Sequence, residues 1–142
     1  MINKVMAFGV FACVGVTTEV VFTALYPLFS DSIGFDWSLR GNSYIWMIFI
    51  YGSASFAFPI GYGVIRNWHV ALRAFCYGLS ILGIELITGA VLRALIGSCP
   101  WEYHEGWHFN GLIRLDYLPL WMLFGMILEG IHRFNLRVGI TT

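Results

Sequence analysis

"VALRAFCYGLSILGIELITGAVLRALI", Val70 to Ile96, decides the fold. About 20 predominantly apolar residues suffice to cross a bilayer's hydrocarbon core, and this run exceeds that. It is long enough to cross at a tilt. Its charges are Arg73 near the start, Arg93 near the end and Glu85 between them. A charge at the bilayer centre costs at least about 2.5–3.5 kcal/mol, so Glu85 needs a partner or a proton.

Three further stretches resemble it. Val5–Phe29 is interrupted by Thr17, Thr18 and Glu19, Tyr44–Ile65 carries no charged residue, and Tyr117–Phe134 is the shortest. The whole chain agrees with this reading. Of 142 residues, 58% are hydrophobic and only 11% are charged, and the mean hydropathy is +0.74. A soluble domain carries about a quarter charged residues. The expected fold is therefore all-α: one integral membrane domain of four transmembrane helices, spanning about 5–29, 44–65, 70–96 and 117–134. "VFAC" at Val10–Cys13 has the outline of a lipoprotein cleavage site. The bulk of Phe11 and the apolar run beyond it favour a retained span.

Charge placement orients the spans. With four crossings, the N-terminus, the "RNWH" turn at 66–69 and the C-tail share a side holding Lys4, Arg66, Arg73, Arg133 and Arg137. The other side holds Arg40, Arg93 and Arg114 with Asp31, Asp36, Glu102, Glu105 and Asp116. The Lys/Arg excess marks the cytoplasm, so both termini are expected there. Zero net charge and the lack of a basic run give no footing for nucleic acid. The expected partners are the lipid bilayer and either further copies of the chain or other subunits of a membrane complex.

Internal similarity points to two repeated helical hairpins. "EVVFTAL" from Glu19 matches "ELITGAV" from Glu85, and "WMIF" at Trp46–Phe49 matches "WMLF" at Trp121–Phe124. A longer second outer loop absorbs the difference in spacing. Chance likeness among Val, Ile and Leu is the competing explanation.

Glu19 and Glu85 each lie roughly 20 Å from the cytoplasmic end of their spans at 1.5 Å per residue. Ala12, Gly15, Glu19, Thr23 and Tyr26 share one helix face. Gly78, Leu82, Glu85, Gly89 and Arg93 share another, with Thr88 beside it. Small and polar residues at these spacings mark helix contacts. The candidate intramembrane polar site is thus Glu19, Glu85, Thr23, Thr88 and Arg93. Either these acids serve a proton- or cation-linked site, or an inward-facing polar pocket, between spans one and three, or each bonds a neighbouring Thr, Tyr or Trp and fixes packing. Glu129 stands four residues before Arg133, which favours a helical ion pair and snorkelling toward the cytoplasmic interface.

The loop "CPWEYHEGWHFNGLIRLDY", Cys99–Tyr117, holds His104 and His108 at a spacing that could face a metal on a helix. Pro100, Gly106 and Gly111 predict a folded loop instead, with a turn at Asn110-Gly111. Trp101, Tyr103, Trp107, Phe109, Tyr117 and Trp121 suit the headgroup boundary. Neither a metal nor a cofactor is expected. Cys13, Cys76 and Cys99 are scattered, without zinc or disulfide spacing. No GxSxG, HExxH or phosphate loop assigns an enzyme reaction.

The chain resembles the transmembrane protein 229 family and a related bacterial domain labelled an ABC-transporter permease of the CmpB type. The likeness covers about residues 15–137. It runs through "EVVFTA" at Glu19–Ala24, "WMIFIYG" at Trp46–Gly52, "IELITGAVLR" at Ile84–Arg93, "CPWEYH" at Cys99–His104, "FNGLIRLDY" at Phe109–Tyr117 and "ILEGIHRFN" at Ile127–Asn135. It makes Trp101, Glu102, Tyr103, Asn110 and Gly111 an outer-loop motif. Glu102 stands where the family usually has Asp, and His104 where Ser is usual. The resemblance implies a small multi-pass membrane protein but carries no assigned activity. The expected function is a binding or transport-related membrane component with an internal polar site. An intramembrane enzyme acting on a lipid and a structural subunit of a membrane complex are the alternatives.

Overall fold

A computed structural model describes residues 2–26 and 38–140. The helices are α1 (Ile2–Leu25), α2 (Ile45–Ile65), α3 (Val70–Ile96) and α4 (Leu118–Arg137). Between α3 and α4 lie two short strands, β1 (His108–Phe109) and β2 (Ile113–Arg114), then a 3-10 turn at Leu115–Tyr117. α1, α2 and α3 are long and apolar enough to cross a membrane. The architecture is all-helical, with three such helices where the sequence reading expected four.

The physical reason lies in the second half of α4, where Glu129, His132, Arg133, Asn135 and Arg137 dilute its apolar character. Glu129, His132 and Asn135 are buried, so these polar groups turn inward. The helix starts with Pro119 in its first turn, where a missing N–H costs nothing. It runs past the expected end at 134. α3 occupies the expected residues. The His69 ring accepts the Ala71 N–H at its start (3.3 Å). Gly97 ends it at φ 80°, donating its N–H to the Arg93 carbonyl. The expected end of the first span at 27–29 and the acids Asp31 and Asp36 lie outside the described residues.

The chain forms two compact units. The first runs to Ile60 and resumes at Phe134. Within it, α1 and α2 interlock through glycines. The Tyr51 ring fills the space a side chain would take at Gly15, and the Phe8 ring does so at Gly52. Phe11, 2% exposed, meets Phe58 with ring centres 5.9 Å apart. Of the α1 face predicted to pack, Ala12 and Gly15 are buried and Glu19 and Thr23 half-buried, while Tyr26 is exposed. Asn3 donates to the Gly139 carbonyl (3.1 Å), tying the start of α1 to the segment after α4.

The second unit spans Gly61–Arg133. Gly78 lets α3 approach Leu118 and Met122 of α4, while Gly125 of α4 receives Tyr77. Farther along α3, Gly89 accommodates Leu112, Cys99 and Trp101 from the outer loop. The predicted α3 face is therefore a packing face, partly covered by its own loop. The loop is folded, as Pro100 and the glycines required. Asn110 (φ 51°) and Gly111 (φ 69°) take consecutive left-handed conformations, the backbone of a tight hairpin turn. β1 and β2 pair antiparallel, His108 with Arg114 and Phe109 with Ile113.

Candidate functional site

Glu19 sits on α1 within reach of the segment leading into α2. Ser43 Oγ donates to its Oε2 (2.9 Å), and the Tyr51 hydroxyl also bonds it. Gly15, one turn earlier, makes room for the Tyr51 ring, so glycine and acid form one arrangement. One turn later, Thr23 Oγ1 accepts the Asn42 N–H (2.8 Å) and lies 2.9 Å from the Glu19 carbonyl. Gly41 completes the contact: a Cβ there would strike the Val20 carbonyl.

Glu85 repeats this relation in the second unit. The Tyr103 hydroxyl donates to its Oε1 (3.0 Å), again from the segment that follows the acid-bearing helix. Thr88 Oγ1 bonds the Ile84 carbonyl on its own helix (2.6 Å). Arg93 turns to the loop, donating to Glu102 Oε1 and the Asn110 carbonyl, each at 3.0 Å. Tyr103 N–H donates to the Gly111 carbonyl, and Trp101 Nε1 to that of Leu112 (3.2 Å). The outer-loop motif and the polar face of α3 are thus one structure. Trp101, Glu102, Tyr103, Asn110 and Gly111 all contribute to clasping α3 between Glu85 and Arg93.

The loop aromatics divide by role. Trp101 and Tyr103 are engaged within the unit, and Tyr117 meets Tyr103 edge-on at 5.8 Å. Trp107 (78% exposed) and Phe109 remain outward. His108 Nδ1 accepts the Gly111 N–H (3.3 Å), so it serves the turn. Arg114 forks onto Asp116, donates to the Tyr117 hydroxyl (2.9 Å) and lies 4.1 Å above that ring. Its guanidinium holds the Asp116 carboxyl below the ordinary value. Burial raises the Cys99 thiol.

Glu129 departs from the sequence reading. It is 3% exposed and does not snorkel. Arg133 stands at 4.0 Å, the edge of ion-pair range. The main partner is Arg73 of α3, whose Nε and Nη2 bind the two carboxylate oxygens at 3.0 Å each. The Tyr77 hydroxyl donates to Oε2 (3.0 Å). Helical spacing found the local partner but missed the distant one. The available signal was that Arg73 stands near the start of α3 and Glu129 in the last half of α4, so antiparallel packing of the two helices brings them together.

Glu19 and Thr23 belong to one unit and Glu85, Thr88 and Arg93 to the other. The structure thus presents two local acid–hydroxyl arrangements and a third, arginine-paired acid. No family model matches the chain, and no solved structure matches it.

Proposed function

We propose that the chain is a four-span membrane protein, with both termini cytoplasmic, that serves as a structural subunit of a membrane assembly. The observation that supports this most is the engagement of every described intramembrane carboxyl by donors in its own unit: Glu19 by Ser43, Glu85 by Tyr103, Glu129 by Arg73 and Tyr77. Buried acids bonded this way specify how helices and loops fit together. A transport-linked acid would instead exchange its proton with water or cargo.

The membrane reading rests on composition and on α1, α2 and α3. Counting α4 as the fourth crossing accounts for its inward polar face, since an intramembrane polar residue turns to the protein interior. In both units an acid on the first helix bonds a hydroxyl in the segment after it, which supports two repeated hairpins. The resemblance to the transmembrane protein 229 family points the same way.

The test uses the full chain in liposomes containing a pH-sensitive dye. The expected result is no proton flux above empty vesicles. Glu19→Gln and Glu85→Gln should leave thermal stability within about 1 kcal/mol, because each retains a side-chain acceptor. Flux carried by the unaltered protein and abolished by either substitution would overturn the proposal. Cysteine accessibility at both termini checks the topology.

A further inference from the structure

Arg73 separates satisfied from unsatisfied charge at the inner end of the second unit. Its Nε and Nη2 hold Glu129, and its Nη1 donates to the carbonyls of Trp68 (2.8 Å) and Arg66 (3.4 Å). One arginine and one carboxylate therefore cancel. Arg66 and Arg133 flank this pair. The Arg66 backbone bonds one edge of the Arg73 guanidinium, and Arg133 Nη1 lies 4.0 Å from Glu129 Oε1. The Tyr62 ring, one turn before Arg66, packs edge-on against His132 at 5.1 Å, bringing the end of α2 beside the turn that carries Arg133. Both arginines are exposed. Among the described residues, no carboxylate pairs with Arg66.

The result is two surplus guanidinium groups around a neutralised core, with Trp68, 44% exposed, in the same turn. Exposed Val64, Val70 and Leu72 adjoin them. This stretch thus offers exposed apolar side chains, an indole and two cations, the chemistry of a lipid tail, its interface and its headgroup. Guanidinium binds phosphate oxygens in a fork. A zwitterionic headgroup would bring its own cation toward the second arginine.

We propose that Arg66 and Arg133, with Trp68 against the acyl boundary, bind the phosphate of an anionic phospholipid in the leaflet at this end, cytoplasmic by the charge count. This rests on the membrane reading but not on the subunit role. It would survive if liposomes revealed transport.

The test is native mass spectrometry of the full chain from a neutral detergent, with equimolar phosphatidylglycerol and phosphatidylcholine. Each basic residue near an anionic surface contributes a preference of about fivefold, so two should give on the order of 5- to 30-fold more phosphatidylglycerol adduct. The double substitution Arg66→Gln, Arg133→Gln should approach parity while its melting temperature holds, since Arg73 and Glu129 are intact. Lys4→Gln with Arg137→Gln should keep the preference. Equal retention of both lipids by the unaltered protein would overturn the assignment, as would a preference that survives the arginine substitutions. Loss of preference in the Lys4/Arg137 variant would reassign it to bulk charge. Displacement of the lipid by millimolar inorganic phosphate would mark a soluble ligand. Either of these results also overturns it.

Discussion

Replacing Glu129 by Ala should be among the most damaging single changes in the second unit. Its carboxylate is 3% exposed and accepts two bonds from Arg73 and one from Tyr77. Hydrogen bonds to a charged group contribute about 1.5–3 kcal/mol each. Losing one member of a buried pair typically costs about 3–5 kcal/mol, because the other charge is stranded. Arg73, 12% exposed, cannot easily shed its proton, so the upper part of that range applies. Arg73→Leu should cost a similar amount, since it strands the buried carboxylate. The double variant, Arg73→Leu with Glu129→Ala, strands neither charge and should recover at least about 2 kcal/mol relative to the sum of the two single losses. The assay is a double-mutant cycle by reversible unfolding of the purified chain in detergent. Additive losses, or a Glu129→Ala loss under about 1 kcal/mol, would refute a closed, buried ion pair.

Gly15→Leu should displace the Tyr51 ring and lower stability by about 1–3 kcal/mol, read by thermal melting. Gly41→Ala drives a Cβ into the Val20 carbonyl and should release the segment before α2, seen as faster hydrogen exchange at Asn42. Cys99, buried with its thiol raised, should react with maleimide at pH 8 more slowly than a cysteine placed at Trp107. Asp116 has a depressed folded value, so its pairing with Arg114 supports the loop above the ordinary carboxylate range and is lost as pH falls through the folded value. Limited proteolysis of the loop should rise over that acid window, and Asp116→Asn should remove the dependence.

The three apolar helices were legible because hydropathy over about 20 residues is a strong signal. α3 needed no adjustment at either end. The folded outer loop was legible too, since Asn110-Gly111 permits few other backbones. α4 was harder. Its inward polar residues read as weak hydropathy, and only tertiary placement explains them. At Glu129, i,i+4 spacing named Arg133, while the fork from Arg73 depends on helix pairing that one-dimensional spacing does not encode. Glu19 and Glu85 stood out as acids within long apolar runs, but Ser43 and Tyr103 were not matched to them. Each donor comes from a segment whose path back along the helix involves glycines at 41, 89 and 111, visible in the sequence without their consequence.

α3 is 27 residues long, roughly 40 Å at 1.5 Å per residue, about 10 Å more than a typical hydrocarbon core. An overlong rod ordinarily leans to hide its excess. Here the loop's polar backbone and Trp101 cover one side of α3 as far as Arg93, so roughly two turns of excess can stand upright above the oil. Bilayer thickness would then set how far that end rises, leaving the rod's angle untouched.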